Sequence, residues 1–296
     1  MQTEFICPDG AKVSKSKCLM GKCRMAERCA PLSYLQLAGR EREWKGVPSV
    51  TQLISGTRCE YLKLTTGYAV DPAKAAFRVH GTRGHTALDS NNNSSFTEEH
   101  FEDEGIQGTA DMFEQQADGT WWLIDHKTAG SFKVAKALGL VKKEEVQYDE
   151  ISGIPLKHKN GKPVKKTWFE ASGQPDIEDW MLQLNKYRMM GEKALGEKIS
   201  RIKIFAVVRD GNTFTAKNRG VMKEIYYIDI PMMLDGAVNM YFDKKKDLLL
   251  SALKDGTMPE ECSASECWSG NKCKICDVAD ACKAAGRTWI VEGEDE

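Results

Sequence analysis

Two runs of strand-forming residues, Gly108 to Gln115 and Thr120 to Thr128, flank the turn Ala117-Asp118-Gly119, and this hairpin constrains the chain more than any other segment. A three-residue loop of this kind places its third residue in the left-handed region, which glycine enters without a Cβ penalty. Gln116 then pairs with Thr120, and each step back on the first strand matches one step forward on the second. Glu114 faces Trp122, and Asp111 faces Asp125. Directly opposed side chains have Cβ atoms about 4.5–5.5 Å apart, where two ionised carboxylates repel unless a cation lies between them. Alternation with period two puts Lys127 on the side of Asp125 and turns His126 away. Two acids and an amine on one face suit phosphodiester hydrolysis, which needs hard oxygen ligands for Mg²⁺ or Mn²⁺ and a cation to position water and stabilise developing charge. An ordinary exposed hairpin is the alternative, since D-x-K alone is common. The apolar run Trp121-Trp122-Leu123-Ile124 and the partner Asp111 favour the catalytic reading.

The ten cysteines are the second constraint. Thiols stay reduced in the cytoplasm and structural disulfides are rare there, so metal ligation is their expected use; a secreted disulfide scaffold is the rival. Cys7, Cys18, Cys23 and Cys29 lie near one end, while Cys262, Cys267, Cys273, Cys276 and Cys282 lie near the other. Only Cys59 stands apart. The first group has loose spacing and interleaved lysines and arginines, and predicts a small zinc-held module over residues 1–35, which contacts DNA or a partner or simply stabilises a short lobe. Cys273-x2-Cys276-x5-Cys282 needs a fourth ligand. Cys262 and Cys267 receive no role.

Length permits one large domain or a domain with a small appendage. Lys+Arg 42 against Asp+Glu 43 leaves a net charge of −1, so composition carries no nucleic-acid signature and any basic surface must be local. No signal-like apolar core and no run of about 18 apolar residues occurs, which predicts a soluble cytoplasmic protein that does not engage a membrane. Asp71-Pro72 starts an expected helix running to about Asp89, with His85 on it. The polar, acidic stretch 89–105 reads as a surface loop. Residues 133–167, rich in lysine around Asn160-Gly161, read either as a solvated loop or as a phosphate-contacting face. Ile177, Trp180, Met181 and Leu184 recur at helical spacing. Residues 202–211 and 223–230 predict a second strand pair, Pro231 to Leu253 a long helix begun by the proline, and the acidic ending a frayed tail.

The order His85, Gly108-Thr109-Ala110-Asp111, Ile124-Asp125-His126-Lys127, then Gln183-x3-Tyr187 resembles the RecB-like branch of the PD-(D/E)XK nucleases. That resemblance implies a restriction-endonuclease-like α/β (α+β) core over residues 36–260, with a mixed central sheet flanked by helices. By it, Asp111, Asp125, His85 and the main-chain carbonyl of His126 are metal ligands and Lys127 is the catalytic lysine. Gln183 and Tyr187 support the site and the DNA strand. A lone upstream cysteine with three near the C-terminus is similar to the iron–sulfur members, the CRISPR-associated adaptation exonucleases and AddB-type nuclease domains. The resemblance then implies a [4Fe–4S] cluster on Cys59, Cys273, Cys276 and Cys282, closed by a C-terminal segment over residues 261–296, with zinc in the same cage as the alternative.

The expected activity is a Mg²⁺- or Mn²⁺-dependent deoxyribonuclease acting as an exonuclease on single strands or duplex ends, with DNA and DNA-processing or CRISPR adaptation proteins as partners. CRISPR adaptation, phage DNA metabolism in a host cytoplasm, and recombination or repair all accommodate it. A non-catalytic nucleic-acid-binding protein with structural metal sites is the alternative, and an iron–sulfur redox protein a third.

Overall fold

The computed structural model describes residues 1–25, 27–41, 43–77, 79–81, 95–268 and 270–289. The chain begins with β1 (Gln2–Ile6), β2 (Lys12–Ser14), α1 (Lys15–Leu19), α2 (Leu32–Ala38), α3 (Val50–Ile54), α4 (Thr57–Thr65) and β3 (Tyr68–Val70). β1 pairs antiparallel with β2 and parallel with β3, so the first residues are stitched to the chain beyond α4, with Phe5 buried. Ser49 starts α3 with a reciprocal cap: its hydroxyl accepts the Gln52 N–H, and the Gln52 side chain accepts the Ser49 N–H.

β4 (Ser95–Asp103), β5 (Ile106–Gln115) and β6 (Trp121–Ala129) form a meander, followed by α5 (Ser131–Ala137), the strands β7 (Leu140–Val146) and β8 (Lys165–Ala171), and α6 (Glu178–Leu195). β9 (Ile199–Val208), α7 (Phe214–Lys217), β10 (Ile225–Ile230), α8 (Asp235–Asp255), a 3₁₀ turn at Asn271–Ile275 and α9 (Ala279–Ala284) complete the chain. The central sheet has the order β10-β9-β6-β5-β4. β6 and β9 are parallel and the other neighbours antiparallel, giving the mixed five-stranded sheet of an α/β core. Parallel neighbours require a long crossover; here it holds α5, the β7–β8 ribbon and α6.

α6 packs along the sheet and α8 packs against α6, α3 and α4. Of the predicted apolar face, Ile177, Trp180 and Leu184 are buried and Met181 is half-buried, Tyr187 and Met190 extend the buried side, and a left-handed Gly196 ends the helix. α6 approaches β5 so closely at Gly191 that a Cβ there would stand 2.4 Å from two Phe113 ring carbons. Among the described residues, no helix is long and apolar enough to cross a membrane.

Four expectations change. The stretch 89–105 is not all loop: Ser95–Asp103 is a strand, and its acidic residues suit an edge position where charge discourages pairing with other chains. Residues 72–75 form a turn, so the expected helix starts later, with 76–77 and 79–81 helical, while 82–94, His85 among them, lie outside the described residues. The lysine-rich segment is a two-stranded antiparallel ribbon in register from Leu140↔Ala171 to Val146↔Lys165, its base held by Phe169 against Gly220. Finally, α8 starts at Asp235, not Pro231. Asn185, fully buried on α6, donates to the Pro231 carbonyl at 3.0 Å and accepts the Met233 N–H at 2.9 Å, holding that tripeptide out of the helix. Asn185→Leu leaves both backbone groups without this partner, and a stability loss of about 1–3 kcal/mol is expected in urea unfolding monitored by circular dichroism. The acidic ending lies outside the described residues from 290 onward.

Candidate active site

The hairpin has the register read from its turn. Gln116 donates to the Thr120 carbonyl at 2.8 Å, Gly119 has φ +83°, and Glu114 pairs with Trp122. The β5–β6 ladder runs from Gln115↔Trp121 to Met112↔Ile124 and stops there. Beyond that point β5 continues on β4 down to Ile106, and β6 continues on β9 as far as Ala129↔Val208. The two strands therefore part at the step where Asp111 meets Asp125. At this fork the N–H of His126, instead of entering the β5 ladder, donates to Asp111 Oδ2 at 2.8 Å.

Lys127 Nζ lies 2.6 Å from Asp125 Oδ2, the lysine side chain 27% exposed and the aspartate 1%. Burial pulls the Lys127 pKa down, but the charges of Asp125 and then Asp111 outweigh it and raise the pKa overall, so the side chain stays an ammonium ion. The His126 ring lies on the other face, edge-on to Phe205 at 5.7 Å. Gln183 and Tyr187 sit one turn apart on α6, with Gln183 Nε2 3.4 Å from the Tyr187 hydroxyl. Burial pushes the Tyr187 phenol up, opposed by the Gln183 contact and reinforced by Asp125. Its ring presses on Gly108, where a Cβ would come 2.5 Å from the ring. The glycine of the Gly108-Thr109-Ala110-Asp111 run thus serves as clearance for Tyr187, which packing against α6 reveals and strand patterning does not. His85 lies outside the described residues.

Chemically, the fork offers two carboxylates from adjoining strands, one almost wholly buried, beside a fixed cation. Hard oxygen donors of this type fit Mg²⁺ or Mn²⁺.

A second constellation lies where the chain ends meet. Cys59 on α4 and five C-terminal thiols, Cys262, Cys267, Cys273, Cys276 and Cys282, line one cavity of about 40 Å³. Cys59 and Cys276 bring their sulfurs to 3.7 Å. This contact and the Val278 N–H lower the Cys276 pKa, while the same contact, with burial, raises that of Cys59. Burial raises Cys273 and Cys282 and pushes Cys262 up to about 11. The segment is clasped onto the core: Arg58 donates to the Ala285 carbonyl, and Lys245 of α8 pairs with Glu266. Sequence reasoning assigned Cys262 and Cys267 no role, although their place just upstream of Cys273-x2-Cys276 was a signal. At the N-terminus, burial raises the Cys18 pKa, followed by the influence of Cys29, Cys23 and Cys7, so these three sulfurs lie within electrostatic range of Cys18. Among the described residues, no three His, Cys, Asp or Glu side chains close around one point tightly enough to hold a single metal ion.

No family model matches the chain, and no curated protein matches it. Among solved structures it is similar to the protein SSO0001, with 17% identity and a TM-score of 0.42 over 91% of this chain and 96% of that one. It is also similar to a provisionally assigned exonuclease from Eubacterium rectale, with 11% identity and a TM-score of 0.30 over 71% of this chain and 60% of the other.

Proposed function

We propose that this chain is a Mg²⁺- or Mn²⁺-dependent deoxyribonuclease of the RecB-like type, removing nucleotides from single strands or duplex ends. The observation that carries the reading is the fork: the β5–β6 ladder ends at Met112↔Ile124, so Asp111 and Asp125 emerge side by side with Lys127 beside them.

Asp111, Asp125, His85 and the His126 carbonyl would hold the divalent ion. Bound there, it would act as a Lewis acid on the phosphate and lower the pKa of a water nucleophile. Lys127, kept cationic by its two acidic neighbours, stabilises charge on a phosphoryl oxygen and orients the attacking water. Asp111 ties its carboxylate to the β6 backbone through the His126 N–H, which presets the ligand spacing. Tyr187, seated against Gly108 and reached by Gln183, supports the acids from α6 and borders the path of the DNA strand. The lysines of the β7–β8 ribbon supply phosphate contacts away from the acids.

The cavity cysteines Cys59, Cys273, Cys276 and Cys282 are the proposed ligands of a [4Fe–4S] cluster, supported by their lining one space. In this reading the cluster braces the C-terminal segment against α4. Zinc is proposed for Cys7, Cys18, Cys23 and Cys29. DNA is the substrate, DNA-processing or CRISPR adaptation proteins are the proposed partners, and the cytoplasm, or a host's cytoplasm, the proposed location.

The test uses protein purified without oxygen, end-labelled single- and double-stranded DNA, and Mn²⁺ or Mg²⁺. Progressive shortening that chelation with EDTA abolishes is expected. DNA left intact with both metals, or shortened equally in EDTA, would overturn the proposal.

A further inference from the structure

We infer that Cys262 is a reserve ligand of the cysteine cavity, placed to substitute for Cys59 and keep a four-thiolate centre loaded when Cys59 is lost or modified. The inference rests on the proposed cluster reading and concerns which sulfurs serve it.

Six thiols line the cavity, two more than a four-thiolate centre uses. Of the two extra sulfurs, Cys262 shares a corner with Cys59. Its Sγ lies directly over Gly56, the residue that caps α4 one turn before Cys59, and a Cβ at Gly56 would stand 2.2 Å from that sulfur. The backbone of Cys59 also acts on the Cys262 sulfur, opposing in part the upward push of burial on its pKa. A small apolar residue at position 262 would cover Gly56 equally well, but it would not bring a sulfur into the cavity.

The backbone around Cys262 is also fixed. Trp289 Nε1 donates to the Cys262 carbonyl at 2.9 Å, and Thr288 donates to the neighbouring Glu261 carboxylate. Cys262 thus enters the cavity beside Cys59 from a separate, anchored strand of chain. Removal of the Cys59 sulfur would leave an anchored thiol adjoining the gap. Cys267, buried and accepting the Gly270 N–H at 3.3 Å, is held within its own tight turn instead.

The experiment compares wild type, Cys59→Ala, Cys262→Ala and the double variant, each purified as the full chain without oxygen and assayed for iron, acid-labile sulfide and visible absorption per chain. Each single variant is expected to keep more than about half the wild-type iron, and the double variant to fall about tenfold or more, the scale on which lost ligand support acts. A Cys59→Ala protein as empty as the double variant would overturn the reserve role. Wild type holding zinc and no iron would overturn the cluster reading alone, because the same four-way comparison on zinc content still decides the role of Cys262. Wild type holding neither metal overturns both. Circular dichroism monitors folding; should the alanine variants unfold, Cys59→Ser and Cys262→Ser, which nearly conserve volume, carry the same comparison.

Discussion

Asp125→Asn is expected to slow DNA shortening by about 10³-fold or more, in line with losses seen when a centre that stabilises transition-state charge is dismantled. Asp125 is the more enclosed of the two acids at the fork, 1% exposed, and its carboxylate lies 2.6 Å from Lys127. Asp111 already commits one oxygen to the His126 N–H. Replacing Asp125 therefore removes the carboxylate that both faces the cation and sits on the strand shared with β9. Asparagine keeps the volume, and Lys127, 27% exposed, retains access to water, so the fold should survive. Time courses on end-labelled DNA with saturating Mn²⁺ give the rate, and anisotropy with labelled DNA in EDTA gives binding, expected within about threefold of wild type because phosphate contacts elsewhere dominate affinity. Cleavage by Asp125→Asn within about tenfold of the wild-type rate would remove Asp125 from the chemistry.

Phe113→Ala is expected to destabilise the fold by about 3–5 kcal/mol, the usual cost of deleting a large buried aromatic and leaving part of its volume empty. Phe113 is fully buried, meets Phe101 edge-on at 5.8 Å, and lies against Gly191, where α6 has no side chain. The ring thereby sets the spacing between β5 and the helix that carries Gln183 and Tyr187. For a chain of this size, each 1 kcal/mol shifts the melting temperature by roughly 2–4 °C, so a fall on the order of 10 °C follows. Differential scanning calorimetry measures it. A shift below about 3 °C would mean that the site collapses around the missing ring, and that this contact does not hold α6 against the sheet.

Much of this architecture follows from local pattern. The turn at Gly119 and the alternation beyond it set the pairing of β5 with β6, because glycine chemistry fixes loop length and period two carries the register outward. The apolar spacing of Ile177, Trp180 and Leu184 likewise marks α6. Pattern failed where context outweighed composition. The acidic stretch before β5 forms an edge strand because β5 offers it a ladder, and charges are tolerated on an edge. The lysine-rich segment forms a ribbon because cross-strand pairing satisfies its backbone while its side chains stay in water. Pro231 does not start α8, because Asn185, distant in sequence, claims the groups on either side of Met232.

The same division holds for the two sites. By itself, the sequence determined the β5–β6 register from Gln115↔Trp121 to Met112↔Ile124, which puts Asp111 and Asp125 one step past its last pair, since a hairpin register depends only on a turn and the residues beside it. Only the tertiary structure decided that the strands part at that pair, because the separation arises where β6 is claimed by the parallel β9 and β5 by β4. It alone also gathered Cys262 and Cys267 with Cys59, Cys273, Cys276 and Cys282 around one cavity. That closure depends on packing α4, α8 and the C-terminal segment together across most of the chain, a long-range term that no local spacing of cysteines encodes.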